Sequence, residues 1–218
     1  ILVAAFIFLT PFVVAQIQFP DATIQTTAAS APLVSTVTVS PVGTAVQNGT
    51  ALKAAYEGVS GALVDAPILV KVEPGVYDLG IGRIDLQTYV NLEGSGTEST
   101  IIKSSQNDAS TGVLDYAGTG GTVELRGLTL EHTGAVGVRG IHNSGTMLVK
   151  DVTVSCTGAP AGDVFAVYNT NNLSMRNCKV SAVGYVLSSG TEVNGITNEG
   201  TCDLLSTTVE VGGSGQRM

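Results

Sequence analysis

Apolar residues recur in four similar eight-residue segments in the second half of the chain. The segments begin at Val123, Met147, Leu173 and Cys202. Within each segment, the first, third, sixth and eighth positions are nearly all apolar. A shorter segment repeats in phase with the first, at residues 138–143, 164–169 and 193–198. Two short strands per unit, at a loose period in the twenties, predict a solenoid of stacked β-coils.

The fifth position of each long segment carries a residue type that tolerates a left-handed or turn conformation. These residues are Gly127, Asp151, Asn177 and Ser206. A turn at this position lets the strand bend around a corner while the apolar positions on both sides still face inward. Stacking of the coils then predicts two inner columns of side chains. One contains Leu125, Val149, Met175 and Leu204, and the other contains Leu130, Val154, Val180 and Val209.

The short segments all end in asparagine. Asn143, Asn169 and Asn198 would therefore form a column, and we expect their side-chain amides to hydrogen-bond from coil to coil. A catalytic role for these three residues is an alternative, but the pattern favours the structural one.

The first 41 residues differ from the repeats. Residues 1–15 form an uncharged apolar run with small residues at its end, which is typical of a secretory signal without its basic start. The run is too short to cross a bilayer comfortably, and a buried strand is the alternative interpretation. Residues 16–41 have the composition of an extended lead-in, with a strand expected at Ser35–Val39. We assign residues 42–218 to the solenoid and expect further coils after residue 218.

One amphipathic helix is predicted before the repeats, with Thr50 as its N-cap and Gly58 as its stop signal. Its apolar face would cover the open end of the solenoid core. Strands are predicted around this helix and before the repeats by short alternating or apolar runs. They span residues 67–73, 76–79, 84–92, 100–103 and 113–116.

Several motifs in this region resemble pectinesterases and other proteins of the pectin-lyase-like superfamily. Residues 51–58 resemble the opening helix of that family, and Pro67–Val72 resembles its first strand. Pro74-Gly75-Val76-Tyr77 is similar to a turn of the family, and Leu92-Glu-Gly-Ser-Gly96 to its glycine-containing step. With the coils, the resemblance covers about residues 36–213. It implies an all-β fold, a right-handed parallel β-helix with a short N-terminal capping helix.

The resemblance does not extend to the family's catalytic motifs. The chain lacks the Q-D-T-L, D-F-I-F-G and L-G-R-P-W segments of pectinesterases, and also the clustered Asp and G-H-G of polygalacturonases. Isolated Asp151 and Asp203 do not make the carboxylate cage that a pectate lyase needs. The two histidines, His132 and His142, have neither the spacing of metal ligands nor a recognisable triad. The sequence therefore predicts no catalytic residue, metal site or cofactor.

Charge and cysteine content narrow the possible partners and crosslinks. The net charge is −8 and no basic block is present, so nucleic acid is an unsuitable partner. Cys156, Cys178 and Cys202 fall on inward positions that are several residues apart along neighbouring coils. That separation exceeds the reach of a disulfide, about 7 Å between Cα atoms, so we expect three free thiols packed as small apolar groups.

One outward-facing column, which we call the cationic stripe, consists of Arg126, Lys150 and Arg176 and is continued by Leu205. A polysaccharide of uronic acids would present a matching row of carboxylates to these cations. The favoured alternative is a solvated face neutralised by Glu124 and Glu131, because exposed ion pairs contribute little.

A second outward surface combines two adjacent columns. The columns are Arg139, Phe165 and Asn194, and His142, Tyr168 and Thr197. Exposed aromatic and guanidinium groups on a flat parallel face would stack against sugar rings. Burial of Phe165 beneath the Ala159–Asp163 loop is an alternative of equal weight.

Together these features predict a secreted or cell-surface module that binds polysaccharide or serves in adhesion, without catalysis in this stretch. Any contact with a membrane would be made through an uncleaved leader. One alternative is a carbohydrate-active enzyme, an esterase or lyase, with its active residues in coils beyond residue 218. Another is the structural shaft of a fibre or tail spike.

Overall fold

A computed structural model describes residues 35–108, 110–118, 120–135, 137–158, 162–184 and 192–213. The proposed signal and residues 16–34 of the lead-in lie outside the described residues. One helix, α1, spans Ala45–Glu57.

Sixteen strands make up the rest of the regular structure in these residues. Those before the repeats are β1 Ser35–Val39, β2 Ile68–Val72, β3 Gly75–Asp78, β4 Ile84–Asp85, β5 Val90–Glu93, β6 Thr100–Ser104 and β7 Leu114–Tyr116. Those of the repeats are β8 Thr122–Gly134, β9 Val138–Asn143, β10 Thr146–Gly158, β11 Val164–Asn169, β12 Asn172–Arg176, β13 Lys179–Gly184, β14 Val193–Asn198, β15 Thr201–Leu205 and β16 Thr208–Gly213.

The strands stack as a parallel β-solenoid of about five turns. An eleven-stranded sheet runs in the order β1-β2-β5-β8-β10-β12-β15, with β3, β6, β13 and β16 paired beside this path. A five-stranded sheet runs in the order β14-β11-β9-β7-β4. The predicted fold class, a parallel β-helix with one short helix near its N-terminus, is confirmed.

The predicted inner columns are confirmed in register. Leu125 pairs with Val149, Val149 with Met175, and Met175 with Leu204. The column continues backwards into coils where the sequence showed no repeat, through Leu92, Val70 and Val37. The second column likewise runs from Tyr77 through Ile102 to Leu130, Val154, Val180 and Val209. The coils therefore bury apolar side chains against their neighbours, but Leu204 and Val209, in the last described coil, are 46% and 42% exposed.

The predicted corners are also confirmed. Gly127, Asp151, Asn177 and Ser206 have φ angles of 62°, 53°, 53° and 51°. This left-handed conformation turns β8 and β10 without breaking their pairing, and Leu128 and Val152 continue inward beyond the corner.

The asparagine column forms the expected ladder. Asn143 Nδ2 donates to Asn169 Oδ1 at 2.6 Å, and Asn169 Nδ2 donates to Asn198 Oδ1 at 2.6 Å. Asn143 and Asn169 are fully buried, and their amides also bond backbone carbonyls of the adjoining turn. These contacts use the amides to fasten coils together, which is the structural role that the sequence favoured.

Helix α1 caps the first coils, but it begins earlier than predicted. Its N-cap is Thr44, not Thr50, and Thr44 and Gln47 form a reciprocal capping box. The Thr50 hydroxyl instead donates to the Val46 carbonyl within the helix. Gly49 allows close packing here, because a Cβ at this position would lie 2.0 Å from the Asp78 carbonyl oxygen. Gly58 is the C-cap as predicted.

The single strand predicted for residues 84–92 is wrong. Tyr89 adopts φ of 63°, and the Val90 amide donates to the Gln87 carbonyl, so a turn separates β4 from β5. The alternating pattern spans this turn because inward residues on both sides remain apolar. The predicted strand at Ser35–Val39 is confirmed as β1.

The three cysteines are free, as expected. Cys156 and Cys178 are buried and Cys202 is half-buried. Burial raises the pKa of all three thiols, which disfavours the reactive thiolate.

Candidate functional site

The outer face of the five-stranded sheet gathers aromatic and charged side chains. Pairing of β9, β11 and β14 places Arg139 beside Phe165 and Asn194, and His142 beside Tyr168 and Thr197. The register is the one predicted from the repeats. We call Arg139, His142, Phe165 and Tyr168 the aromatic patch.

The aromatic patch is built around the Tyr168 ring. The Arg139 guanidinium carbon lies 4.0 Å from the centroid of this ring and 5.6 Å from that of Phe165. Phe165 meets Tyr168 edge-on, with ring centroids 5.7 Å apart. Phe165 is only 8% exposed, so the interpretation of an exposed Phe165 is wrong. The buried Phe165 ring thus packs against Tyr168, and Arg139 and Tyr168 form the partly exposed surface of the aromatic patch.

Two polar atoms in this region lack a protein partner. Arg139 Nε and Thr197 Oγ1 are buried without a hydrogen bond in the described part of the chain. Arg139 Nη1 donates to the Ser110 carbonyl at 3.1 Å, which orients the guanidinium. Burial lowers the pKa of Arg139. Buried polar atoms in native proteins are nearly always paired, so these two atoms are exceptions within the described residues.

The Tyr168 hydroxyl bonds a carboxylate. It donates to Glu199 Oε1 at 2.5 Å, and this hydrogen bond raises the pKa of Tyr168. Arg139 packs over the face of the Tyr168 ring and Glu199 bonds its hydroxyl, so two contacts fix the orientation of the ring.

His142 belongs to a hydrogen-bonded chain that the sequence did not reveal. Its Nδ1 lies 3.2 Å from Asp115 Oδ2, and its Nε2 lies 3.5 Å from Ser144 Oγ. The Thr170 hydroxyl donates to Ser144 Oγ at 3.0 Å. The His142 ring also packs against Tyr168, with ring centroids 5.7 Å apart. These contacts of His142 were not predicted from the sequence, in which no triad was recognised.

The fold explains why His142 contacts Asp115 and Ser144, and why the sequence alone did not predict these contacts. His142 and Ser144 are two positions apart, so they point to the same face of one coil. Asp115 comes from β7, which pairs with β9 and places Asp115 directly beside His142. The segment before Thr122 carries no repeat, so its register against β9 could not be read. The spacing His142-x-Ser144 was the available signal.

The other histidine has a structural position. His132 is fully buried, with Nδ1 2.7 Å from the Arg139 carbonyl oxygen and Nε2 2.9 Å from that of Gln106. It links Gln106, in the segment before the repeats, to Arg139 in β9, so it contacts the backbone that carries the aromatic patch.

The residues of the cationic stripe are aligned as predicted, but one of its three cations is paired with carboxylates. Lys150 pairs in register with Arg126 and Arg176, and Arg176 with Leu205. Arg126 contacts Glu93 in the preceding coil and, at 3.4 Å, Glu124. Glu131 does not neutralise the stripe, because it pairs with Lys103 at 2.7 Å.

A shallow depression adjoins the stripe. It has a volume of about 280 Å³ and is lined by Glu124, Leu148, Lys150, Ser174 and Arg176 among others. Lys150 has one carboxylate nearby, Asp151 at 3.9 Å. The stripe lies on the eleven-stranded sheet and the aromatic patch on the five-stranded sheet, so they are separate surfaces.

The described residues contain no group of three or more His, Cys, Asp or Glu side chains arranged to hold a metal ion. None of their helices combines the length and apolar character needed to cross a bilayer.

Comparison with known proteins finds similarity to solved structures. Neither a protein-family model nor a curated protein matches the chain. Among solved structures, it is similar to Geobacillus virus E2 ORF18, at 16% identity and a TM-score of 0.46 over 78% of this chain and 41% of that protein. It is also similar to a pectin methylesterase solved with a hexasaccharide, at 13% identity and a TM-score of 0.36 over 70% and 59% of the two chains. The chain thus spans less than two thirds of either protein.

Proposed function

We propose that this chain is a secreted or cell-surface β-helix module that binds polysaccharide through the aromatic patch. The observation that carries the proposal is the stacked pair of Arg139 and Tyr168, 4.0 Å apart, on the outer face of the five-stranded sheet. Export is supported by the signal-like run at residues 1–15.

The chemistry of the patch suits a sugar ring. The C–H faces of a sugar pack favourably on an aromatic or guanidinium plane, and its hydroxyls need hydrogen-bond partners at the edge of that plane. The patch offers the plane in Arg139 and Tyr168, and the exposed Glu199 carboxylate, which accepts from the Tyr168 hydroxyl, lies at its edge. Because the five-stranded sheet continues across several coils, adjacent sugar units of a linear polysaccharide would meet strands of adjacent coils.

The cationic stripe supports a narrower proposal, that the polysaccharide contains uronic acids. Arg126 is engaged by Glu93, which leaves Lys150 and Arg176 as the cations available to carboxylates. Their side chains are largely exposed, so each contact would be weak and sensitive to salt. We therefore place the main binding energy on the aromatic patch.

Affinity electrophoresis through immobilised polysaccharides tests the proposal. Tyr168→Ala should weaken retention about tenfold, because stacking on the aromatic ring contributes about 1 kcal/mol or more. Phe165→Ala is a poorer test, because Phe165 is buried and its loss would damage packing. Ser181→Ala, on β13, is a matched control that should leave retention unchanged.

The outcomes also separate the alternatives. Retention that is equal in wild type and Tyr168→Ala would overturn the assignment to the aromatic patch. If Lys150→Ala with Arg176→Ala abolished retention instead, the stripe would be the binding surface. Release of unsaturated uronides would indicate a lyase with active residues in further coils. A shaft would neither bind polysaccharide nor release products.

A further inference from the structure

We infer that Ser144, His142 and Asp115 form the nucleophile, base and orienting carboxylate of an ester-hydrolysing site, whose substrate is an O-acyl ester on a bound glycan. The assignment of the glycan rests on the function proposed above, whereas the assignment of the three residues rests on their own geometry. The arrangement matches the roles of a Ser-His-Asp triad, which recurs on unrelated folds and is recognised by geometry.

The hydrogen bonds assign the protons of His142. A carboxylate only accepts, so Asp115 Oδ2, 3.2 Å away, requires a hydrogen on His142 Nδ1. In the neutral ring, Nε2 then carries a lone pair and faces Ser144 Oγ. This is the tautomer in which a histidine acts as a general base toward a serine hydroxyl. Asp115 is buried, which holds the pair in place.

The hydrogen bonds around Ser144 leave its own hydrogen available. The Thr170 hydroxyl donates to Ser144 Oγ, so the oxygen already has a donor and its hydrogen is free to point at His142 Nε2. The Oγ–Nε2 distance of 3.5 Å is longer than the 2.6–3.2 Å or so of an engaged pair. Such distances commonly shorten when substrate binds.

The reaction balances with water as the second reactant. Ser144 Oγ attacks the ester carbonyl carbon and its proton passes to His142 Nε2. The ester C–O bond breaks, and the departing sugar oxygen takes that proton to become a hydroxyl. Water then attacks the acyl-serine, gives a proton to His142 and releases the carboxylic acid as Ser144 recovers its hydrogen.

The surroundings select the substrate class. The His142 ring packs against Tyr168, so a sugar stacked on the aromatic patch would lie beside Ser144. A small acyl group on a hydroxyl of that sugar, such as acetyl, would reach the nucleophile from this platform. His142 and Ser144 are half-buried at the surface, which suits a substituent on a polymer better than a small free ester.

Labelling with a fluorophosphonate tests the triad without any glycan. The probe phosphonylates an activated serine, and peptide mass spectrometry should locate the adduct on Ser144 of the full chain. Ser144→Ala should abolish labelling, and His142→Gln should slow it about 100-fold or more, because general-base catalysis typically contributes that much. Ser181→Ala, a half-buried serine on β13, should label like wild type. Circular dichroism melting checks that each variant folds.

Absence of an adduct on Ser144 in the wild-type protein would overturn the triad, whatever the variants do. Equal labelling of wild type and His142→Gln would also overturn it, because the serine would then be no more than an exposed hydroxyl.

Acetate release from acetylated xylan, compared with hydrolysis of 4-nitrophenyl acetate, tests the substrate class. Release from both, lost in Ser144→Ala, supports an acyl-glycan substrate. Labelling of Ser144 without release from the polymer would overturn that substrate while the triad stands. Labelling without retention on any polysaccharide would overturn the proposed binding function alone, so the two proposals fail separately.

Discussion

The coils before Thr122 and the repeats that follow it bury similar aliphatic columns, but their buried polar groups are satisfied by different contacts. In the repeats, the same devices recur in every coil: a left-handed residue at one corner and a ladder asparagine at another. Before Thr122, buried tyrosines make single, unrepeated bonds from their hydroxyls to backbone carbonyls. Tyr56 bonds Val90, Tyr77 bonds Glu73 and Tyr116 bonds Gly121.

This difference shows two ways of satisfying the buried polar groups of one solenoid. A repeated coil satisfies its buried polar groups with its neighbours, so stability grows with each copy. An irregular coil must satisfy them one by one with long side chains. The Ser144–His142–Asp115 chain lies at the boundary between the two regions, with Asp115 on the irregular side and His142 and Ser144 on the repeated side.

The largest expected effect is in the ladder. Asn169 is fully buried and its amide bonds Asn198 Oδ1, the Asn171 carbonyl and the Thr201 carbonyl. Asn169→Ala should lower the free energy of unfolding by about 3 kcal/mol, because it leaves buried groups of two neighbouring coils unpaired. Urea unfolding measures the change. Asn198→Ala, at the exposed end of the ladder, should cost about 1 kcal/mol or less; equal costs would show that the ladder does not act as a connected unit.

The next largest loss of stability is expected at His132, where the irregular region meets the repeats. His132→Leu should lower the free energy of unfolding by about 2 kcal/mol, because the ring would no longer donate to one of the two buried carbonyls it contacts, those of Gln106 and Arg139. The Arg139 carbonyl keeps its bond from the Val113 amide, so the main loss is expected at Gln106. His132→Gln, which can still donate to one or both carbonyls, should cost less. If His132→Leu were as stable as wild type, the irregular and repeated regions would not depend on this contact.

A smaller effect concerns the tyrosines and depends on pH. Tyr56→Phe should cost about 1 kcal/mol near neutral pH through loss of the bond to Val90. Burial raises the pKa of Tyr56 well above its usual value, so the folded chain keeps this phenol neutral. The unfolded chain ionises it above about pH 10, and wild-type stability should therefore fall as pH rises beyond that value.

Unfolding measured at several alkaline pH values checks this dependence. In Tyr56→Phe the alkaline fall should be shallower than in wild type. Tyr89→Phe is the control, because its hydroxyl bonds Gly120 at the exposed surface and should contribute less than about 0.5 kcal/mol. An unchanged slope in Tyr56→Phe would contradict the role of burial.

The same contrast explains what the sequence could predict. Repetition supplies its own alignment, so the columns through Leu125 and Leu130, the left-handed corners and the ladder were all readable. The coil before Thr122 has no copy to align with, and neither the turn at Tyr89 nor the pairing of Asp115 with His142 could be read. The burial of Phe165 depends on packing between columns, which a pattern within one coil does not contain.

The smallest effect tests whether the left-handed corner is equally demanding in every repeat. Gly127 is the one glycine among the four corner residues, and a Cβ there would lie 3.1 Å from the Gly94 carbonyl oxygen. The left-handed conformation costs a non-glycine residue about 1–2 kcal/mol, and the less flexible unfolded chain returns about 0.4–1 kcal/mol. Gly127→Ala should therefore destabilise by about 0.5–1 kcal/mol, measured by urea unfolding. Ser206→Gly removes the strain at the equivalent corner and should change stability by less than about 0.5 kcal/mol. A loss in Gly127→Ala much above 1 kcal/mol would mean that the contact with Gly94, which belongs to the irregular region, sets the cost rather than the corner itself.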